Sequence, residues 1–200
     1  MKHIVFDLGQ VLIHWDPECA FDGVFATRQE LRDWMGRVGF DDWNRRQDAG
    51  RDLAEGLAEA DRSHGADAAP LHSYCANFAA TIANPIPGTW DIAETLKSAG
   101  HRLFAITNWS ADNWPAAIAC YPRLNTLFED VVVSGIERLL KPAPEIYLTL
   151  TRRNGIAPGD CIFIDDSAAN VTGARAIGMD AILFADAPGL RAELAKRGIG

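Results

Sequence analysis

The sequence predicts an α/β protein: a doubly wound parallel sheet with a block of helices inserted after its first strand. Three observations predict it. Short apolar runs recur along the chain without polar alternation, as strands buried on both faces do. From residue 85 onward these runs alternate with segments of helical period, the rhythm of an α/β sheet. Residues 16–84 break that rhythm, with helical periodicity and no convincing strand.

The runs at 4–8, 103–107, 131–134, 161–165 and 181–184 are each too short for a helix and bounded by Gly, Asn, Asp or Ser. They are the expected strands. The segments 89–98, 143–154, 168–177 and 189–196 are the expected helices between and after them. Gly100, Gly155 and Gly178 follow three of these closely, where a helix end favours a left-handed residue. Within the inserted block, 28–38, 50–62 and 71–82 carry amphipathic helical spacing. The block leaves through Asn84-Pro85-Ile86-Pro87-Gly88, a run that stops helices and stiffens a hinge. The expected division is therefore 1–15 with 85–200 as the sheet domain, and 16–84 as a helical insertion.

Composition narrows the function. The 200 residues are 48% hydrophobic with six Trp, enough for a real core. Acidic residues number 27 against 19 basic ones, a net charge of −8, which argues against a nucleic-acid or anionic-membrane partner. Residues 16–84 hold 13 acids and 7 bases, so most of that charge belongs to the insertion. Cys19, Cys75, Cys120 and Cys161 are scattered and form no Cys-x-x-Cys pair, so neither a disulfide framework nor a zinc site is expected. Asp7 interrupts the N-terminal apolar stretch too early for a signal peptide, and a cytoplasmic setting is the expectation.

In an open parallel sheet, ligands bind beyond the carboxyl ends of the strands. Strand one ends at Asp7-Leu8-Gly9, strand two at Thr107-Asn108, and the fourth at Asp165-Asp166-Ser167. Lys141-Pro142 precedes the helix after the third. A carboxylate nucleophile, a hydroxyl, a cation and a carboxylate pair thus share one rim. The pair suits a hard cation such as Mg²⁺, and the set suits phosphoryl transfer.

These segments resemble the four motifs of the haloacid dehalogenase (HAD) superfamily of aspartate-nucleophile hydrolases, in order from Phe6 to Ala174. They are Phe6-Asp7-Leu8-Gly9-Gln10-Val11, Ile106-Thr107-Asn108, Lys141-Pro142, and Phe163-Ile164-Asp165-Asp166-Ser167 with Asn170 behind it. Residues 141–174 are similar to those of bacterial sugar-phosphate phosphatases and of the phosphatase domain of soluble epoxide hydrolase. The resemblance implies a Rossmann-like core, a helical cap, and hydrolysis of a small phosphate ester. It implies Asp7 as nucleophile, with Thr107 and Lys141 holding the phosphoryl oxygens. Mg²⁺ would be bound by Asp7, the Gly9 carbonyl, Asp166 and Asp165, with Asn170 orienting Lys141 and Asn108 touching the phosphoryl group.

One departure stands out. Most phosphatases of the superfamily carry a second Asp two residues after the nucleophile as general acid and base, and here that position is Gly9. The superfamily's dehalogenases lack that Asp too, so metal-independent 2-haloacid dehalogenation is the alternative, and an idle ligand-binding relative is the third. His14 is the nearest stand-in for the missing acid. Trp43 and Arg46, in the polar stretch 43–48, are candidates for substrate selection, against the simpler reading of a packed Trp in a solvated connector. Trp15 and Trp109 are candidates for pocket walls.

Overall fold

A computed structural model describes residues 2–199. The chain opens with β1 (His3–Phe6) and β2 (Ile13–His14) and enters the helices α1 (Arg28–Val38), α2 (Phe40–Asp48), α3 (Leu53–His64), α4 (Ala69–Ala76) and α5 (Phe78–Thr81). It returns at β3 (Asn84–Pro85). The remainder runs α6 (Thr89–Ser98), β4 (Leu103–Thr107), α7 (Trp114–Cys120), α8 (Leu124–Leu127), β5 (Asp130–Val133), α9 (Ser134–Glu137) and α10 (Pro144–Asn154). It ends with β6 (Cys161–Asp165), α11 (Ala168–Ala176), β7 (Asp180–Leu183) and α12 (Ala187–Lys196).

The main sheet has five parallel strands in the order β5-β4-β1-β6-β7, with β1 at its centre. Its strands bury both faces, which is why their sequences do not alternate. Ile4, Phe6, Leu103, Ala105, Ile162 and Ile164 face one apolar cluster, while Val5, Phe104, Ile106 and Phe163 face another with Ile146 and Leu150 of α10. Each strand therefore supplies apolar side chains in both directions, as a doubly wound sheet requires. Chain order runs outward from β1 through β4 to β5, then crosses to β6 and β7. The reversal beside β1 is the switch point at which such sheets open a crevice.

The inserted helices join the sheet through a short antiparallel pairing of β2 with β3, Ile13 opposite Pro85 and His14 opposite Asn84. The Ile86 amide donates to the Leu12 carbonyl at 2.8 Å and the Asp16 amide to the Thr81 carbonyl at 2.8 Å, so both connections are tied side by side. The helices share an apolar cluster with one sheet face. Aromatic rings continue it: Phe40 to Tyr74 at 5.0 Å between centroids, Tyr74 to Phe78 at 5.9 Å, and Phe78 to Trp109, just past β4, at 5.8 Å.

Two local expectations need correction. Residues 43–48 are not a connector but most of α2, and residues 71–82 form two helices that break at Asn77, whose side chain donates to the Ala20 carbonyl at 3.1 Å. Gly39, with φ of 62°, ends α1 and starts α2, so no loop residues separate them. Among the described residues, no helix is long and apolar enough to cross a membrane.

Candidate active site

The sheet places Asp7 one residue beyond β1, where its amide donates to the Ile164 carbonyl at 2.8 Å and prolongs the β1–β6 ladder. Being central, β1 has the ends of β4 and β6 on either side. The Asp7 carboxylate is held by the Leu8 amide at 2.7 Å and by the Lys141 ammonium at 2.8 Å. Lys141 reaches Asp165 at 2.7 Å with its other hand, and all three residues are buried.

Each partner of this cluster is itself fixed. Asp165 accepts from the Ser167 amide at 2.8 Å and from the Asn170 side chain at 3.0 and 3.1 Å, as well as from Lys141. Those four bonds use the lone-pair positions of its two oxygens. Asn170 thus orients Lys141 only through Asp165, one step further back than expected. Asn108 is tied to the same lysine. Its Oδ1 accepts from the Lys141 amide at 2.9 Å and its Nδ2 donates to the Lys141 carbonyl at 3.2 Å. One Nδ2 hydrogen is thereby used on the Lys141 backbone, which leaves the second available to a ligand. The Lys141–Pro142 peptide is cis, and α11 packs against it at Gly173, where a Cβ would lie 2.5 Å from the Pro142 carbonyl oxygen.

Thr107 ends β4, and its buried hydroxyl has no hydrogen-bond partner among the described residues. A buried hydroxyl left alone costs free energy unless something fills its place. Asp166 is exposed at the same rim, and Asp7, Asp165 and Asp166 each present an oxygen within 4.8 Å of the others. Burial pushes the Asp7 carboxyl up to about 8, with Lys141 acting against it and Asp165 with it. Burial acts to lower the Lys141 ammonium, but Asp7 and Asp165 together hold it above its ordinary range. Burial and repulsion from Asp165 raise Asp166. One cation among three carboxylates leaves the rim short of positive charge.

Above this rim, between the sheet and the inserted helices, lies a cavity of about 160 Å³. Gly9, Asn108 and Ser110 form its floor side, and Trp15, Tyr74, Phe78 and Trp109 supply aromatic walls, so both Trp15 and Trp109 stand where expected. Trp43 and Arg46 do not. Trp43 is buried and donates to the Gly56 carbonyl at 3.0 Å, while Arg46 is exposed and pairs with Asp42 and Glu59, both at 3.0 Å. His14 is exposed and bonded to Gln10 at 2.9 Å, outside the cavity wall. The helical face that does look into the cavity carries Asn44 and Asp48. They are four residues apart and share one face of the helix.

Parts of this chain are similar in sequence to other proteins. A flavin mononucleotide hydrolase of Arabidopsis thaliana is 33% identical over 114 residues, covering 57% of this chain and 46% of the relative. A fructose-1-phosphate phosphatase of Escherichia coli K12 is 31% identical over 83 residues, 42% of this chain and 44% of the relative. These matches span less than half the length of either relative. A HAD family enzyme of Bacteroides thetaiotaomicron, also solved in complex with magnesium and inorganic phosphate, shares the fold with a TM-score of 0.75. It is 22% identical, over 93% of this chain and 94% of that one. Residues 1–178 match the profile of the haloacid dehalogenase-like hydrolases. The chain belongs to that family and is an enzyme of the hydrolase class.

Proposed function

We propose that this enzyme hydrolyses small phosphate esters in two steps through a phosphoryl group carried on Asp7, with Mg²⁺ as cofactor. The observation that carries the reading is the buried Lys141 bridging Asp7 and Asp165 beside an unpartnered Thr107 hydroxyl. Asp7 has one oxygen held by the Leu8 amide and the other by Lys141, so its attack direction is fixed before substrate arrives. The Thr107 hydroxyl and the Lys141 ammonium are the donors available to the phosphoryl oxygens. Asp165, its lone pairs already used, positions Lys141.

The donor set fits a hard divalent ion: Asp7 and Asp166 offer carboxylate oxygens within 4.8 Å of each other, and Gly9, two residues after Asp7, would add its carbonyl. Bound there, Mg²⁺ would neutralise the charge that Lys141 alone leaves uncompensated and orient the phosphate. The phosphatase names and the magnesium and phosphate complex among the relatives support the same reading. The aromatic cavity, of the size that holds a benzene ring, favours a small leaving group. Residues 16–84 are then the cap over a Rossmann-like core of 1–15 and 85–200, joined at the β2–β3 neck.

Purified enzyme assayed against p-nitrophenyl phosphate, a panel of sugar phosphates and 2-chloropropionate, with and without Mg²⁺, tests the reading. Phosphate release that EDTA stops and Mg²⁺ restores is expected. Chloride release that EDTA leaves untouched would make the enzyme a dehalogenase instead. Within the phosphatase reading, Asp166→Ala should raise the Mg²⁺ concentration for half-maximal activity by at least about 10-fold. An unchanged requirement would remove Asp166 from the metal site.

A further inference from the structure

We infer that Asp48, brought to the active site by α2, is the general acid and base of the reaction, in place of the carboxylate absent at Gly9. The inference rests on the phosphatase reading above. Asp48 and Gly9 line the same cavity, one from the helices and one from the nucleophile's own loop. Nothing steric requires glycine there: a Cβ built on Gly9 meets no atom within 4 Å. The acid is missing from the loop although the space for it exists.

Asp48 is not a loose surface carboxylate. It is the last residue of α2, and its carbonyl accepts from the Ser134 hydroxyl at 2.6 Å. The Ser134 hydroxyl in turn accepts from the Trp109 amide at 2.9 Å, which ties the end of α2 to the ends of β4 and β5. The Asn44 side chain donates to the carboxylate at 3.3 Å, and the nearby Ser110 amide favours its ionised form. Trp109 adds an independent sign of a ligand. It is 5% exposed, lines the cavity, and its indole N–H has no partner among the described residues. A buried donor and a carboxyl group facing one small cavity suit a leaving oxygen, which needs a proton and a hydrogen bond.

The surroundings favour the protonated form that an acid must start from. Burial pushes the Asp48 carboxyl up to about 7, with the Ser110 amide acting against it. Its place at a helix C-terminus works in the same direction as burial. The ionisable group facing it from α4 is the Tyr74 phenol, which donates to Asn44 at 3.1 Å. From beyond α9, the Arg138 stem packs against the space beside Gly50, two residues on. The turn after β4 carries Ser110 and also Asp112, which accepts from the Leu53 amide at 2.9 Å, and α9 carries Ser134 and also Glu137, which pairs with Arg153 at 2.5 Å.

The proton balance is simple. As an Asp7 oxygen bonds to phosphorus and the bond to the leaving oxygen breaks, the Asp48 carboxyl gives its proton to that oxygen. The Asp48 carboxylate then takes a proton from water as the water oxygen bonds to phosphorus and the Asp7–phosphorus bond breaks. Inorganic phosphate leaves, and Asp48 is again protonated.

Asp48→Asn keeps the shape and the acceptor for the Ser110 amide while removing the proton. Against an alkyl phosphate, whose leaving group needs protonation, kcat/KM should fall by about 10²–10⁴-fold. Against p-nitrophenyl phosphate, whose leaving group does not, it should fall by less than about 10-fold. The wild-type enzyme gives a second reading that needs no variant. Its kcat/KM on the alkyl ester should decline above about pH 7 relative to p-nitrophenyl phosphate, because the acid is then ionised. Equal losses on both esters in the variant, or parallel pH profiles in the wild type, would overturn the assignment and leave Asp48 a structural residue. A wild-type enzyme that hydrolyses neither ester would overturn the phosphatase reading itself, and this inference with it.

Discussion

Asp7→Asn should lower phosphate-ester turnover by about 10⁴–10⁶-fold, the scale of losing a nucleophile, while the protein stays folded. The amide has no anionic oxygen to attack phosphorus, yet it keeps most of the local bonding. Its oxygen can still accept from the Leu8 amide, which holds Asp7 at 2.7 Å. Lys141 still has Asp165 at 2.7 Å, so no buried cation is left alone. The substitution also removes a carboxylate that burial pushes up to about 8, so stability should move by no more than about 1–2 kcal/mol. Activity and thermal unfolding measured on the same preparation check both halves. Sustained turnover in a folded variant would remove Asp7 from the nucleophile's role.

Lys141→Met should have the opposite profile, costing stability as well as activity. Lys141 is 3% exposed and is the cation bonded to both Asp7 and Asp165. Its removal leaves two buried carboxylates facing each other, a loss of about 3–5 kcal/mol. For a domain of this size that is a fall of about 6–20 °C in Tm. The sign with pH follows from the carboxyl groups. Losing Lys141 takes away what draws the Asp7 pKa down, so the folded-state value rises further above the unfolded one. The folded protein then binds more protons than the unfolded one, and stability falls as pH rises through that interval. Below about pH 8 the Asp7 carboxyl is protonated in both folded proteins, so the variant's deficit should be level there and widen as pH rises above about 8. A loss under about 1 kcal/mol with no pH dependence would contradict the bridging role of Lys141. Activity should fall by at least about 10²-fold at every pH, since one phosphoryl donor is gone.

Much of the sheet is legible in the sequence because its strands are buried on both faces. Val5 and Phe6 pack in opposite directions yet are both apolar, so 4–8 reads as a strand before any partner is known. The rim residues follow from the strands: once β1, β4 and β6 are parallel neighbours, Asp7, Thr107 and Asp165 share one edge. What the chain conceals is everything that depends on a contact across the fold. Asn108 reads as a polar strand end, and only its two bonds to Lys141, 33 residues away, show it to be a clamp.

The helix α2 hides for a different reason. Its buried face is Phe40, Trp43 and Gln47, and the Gln interrupts the apolar period that would reveal a helix. Gly39 closes one helix and opens the next, so the usual break between them is compressed to one residue. With α2 unread, Trp43 and Arg46 attract attention as the unusual side chains, while Asn44 and Asp48, which line the cavity, do not. The sheet edge is written in local pattern, and the cover over it is written in packing.

In the proposed mechanism the phosphoryl group passes through Asp7. Rapid acid quench during turnover of a phosphate ester, followed by mass spectrometry of the peptides, measures this directly. One phosphoryl group is expected on the peptide that contains Asp7, appearing on mixing with substrate and lost on chasing, and absent from Asp7→Asn. Turnover with the Asp7 peptide unmodified at every quench time, or a phosphoryl group found on another residue, would contradict it.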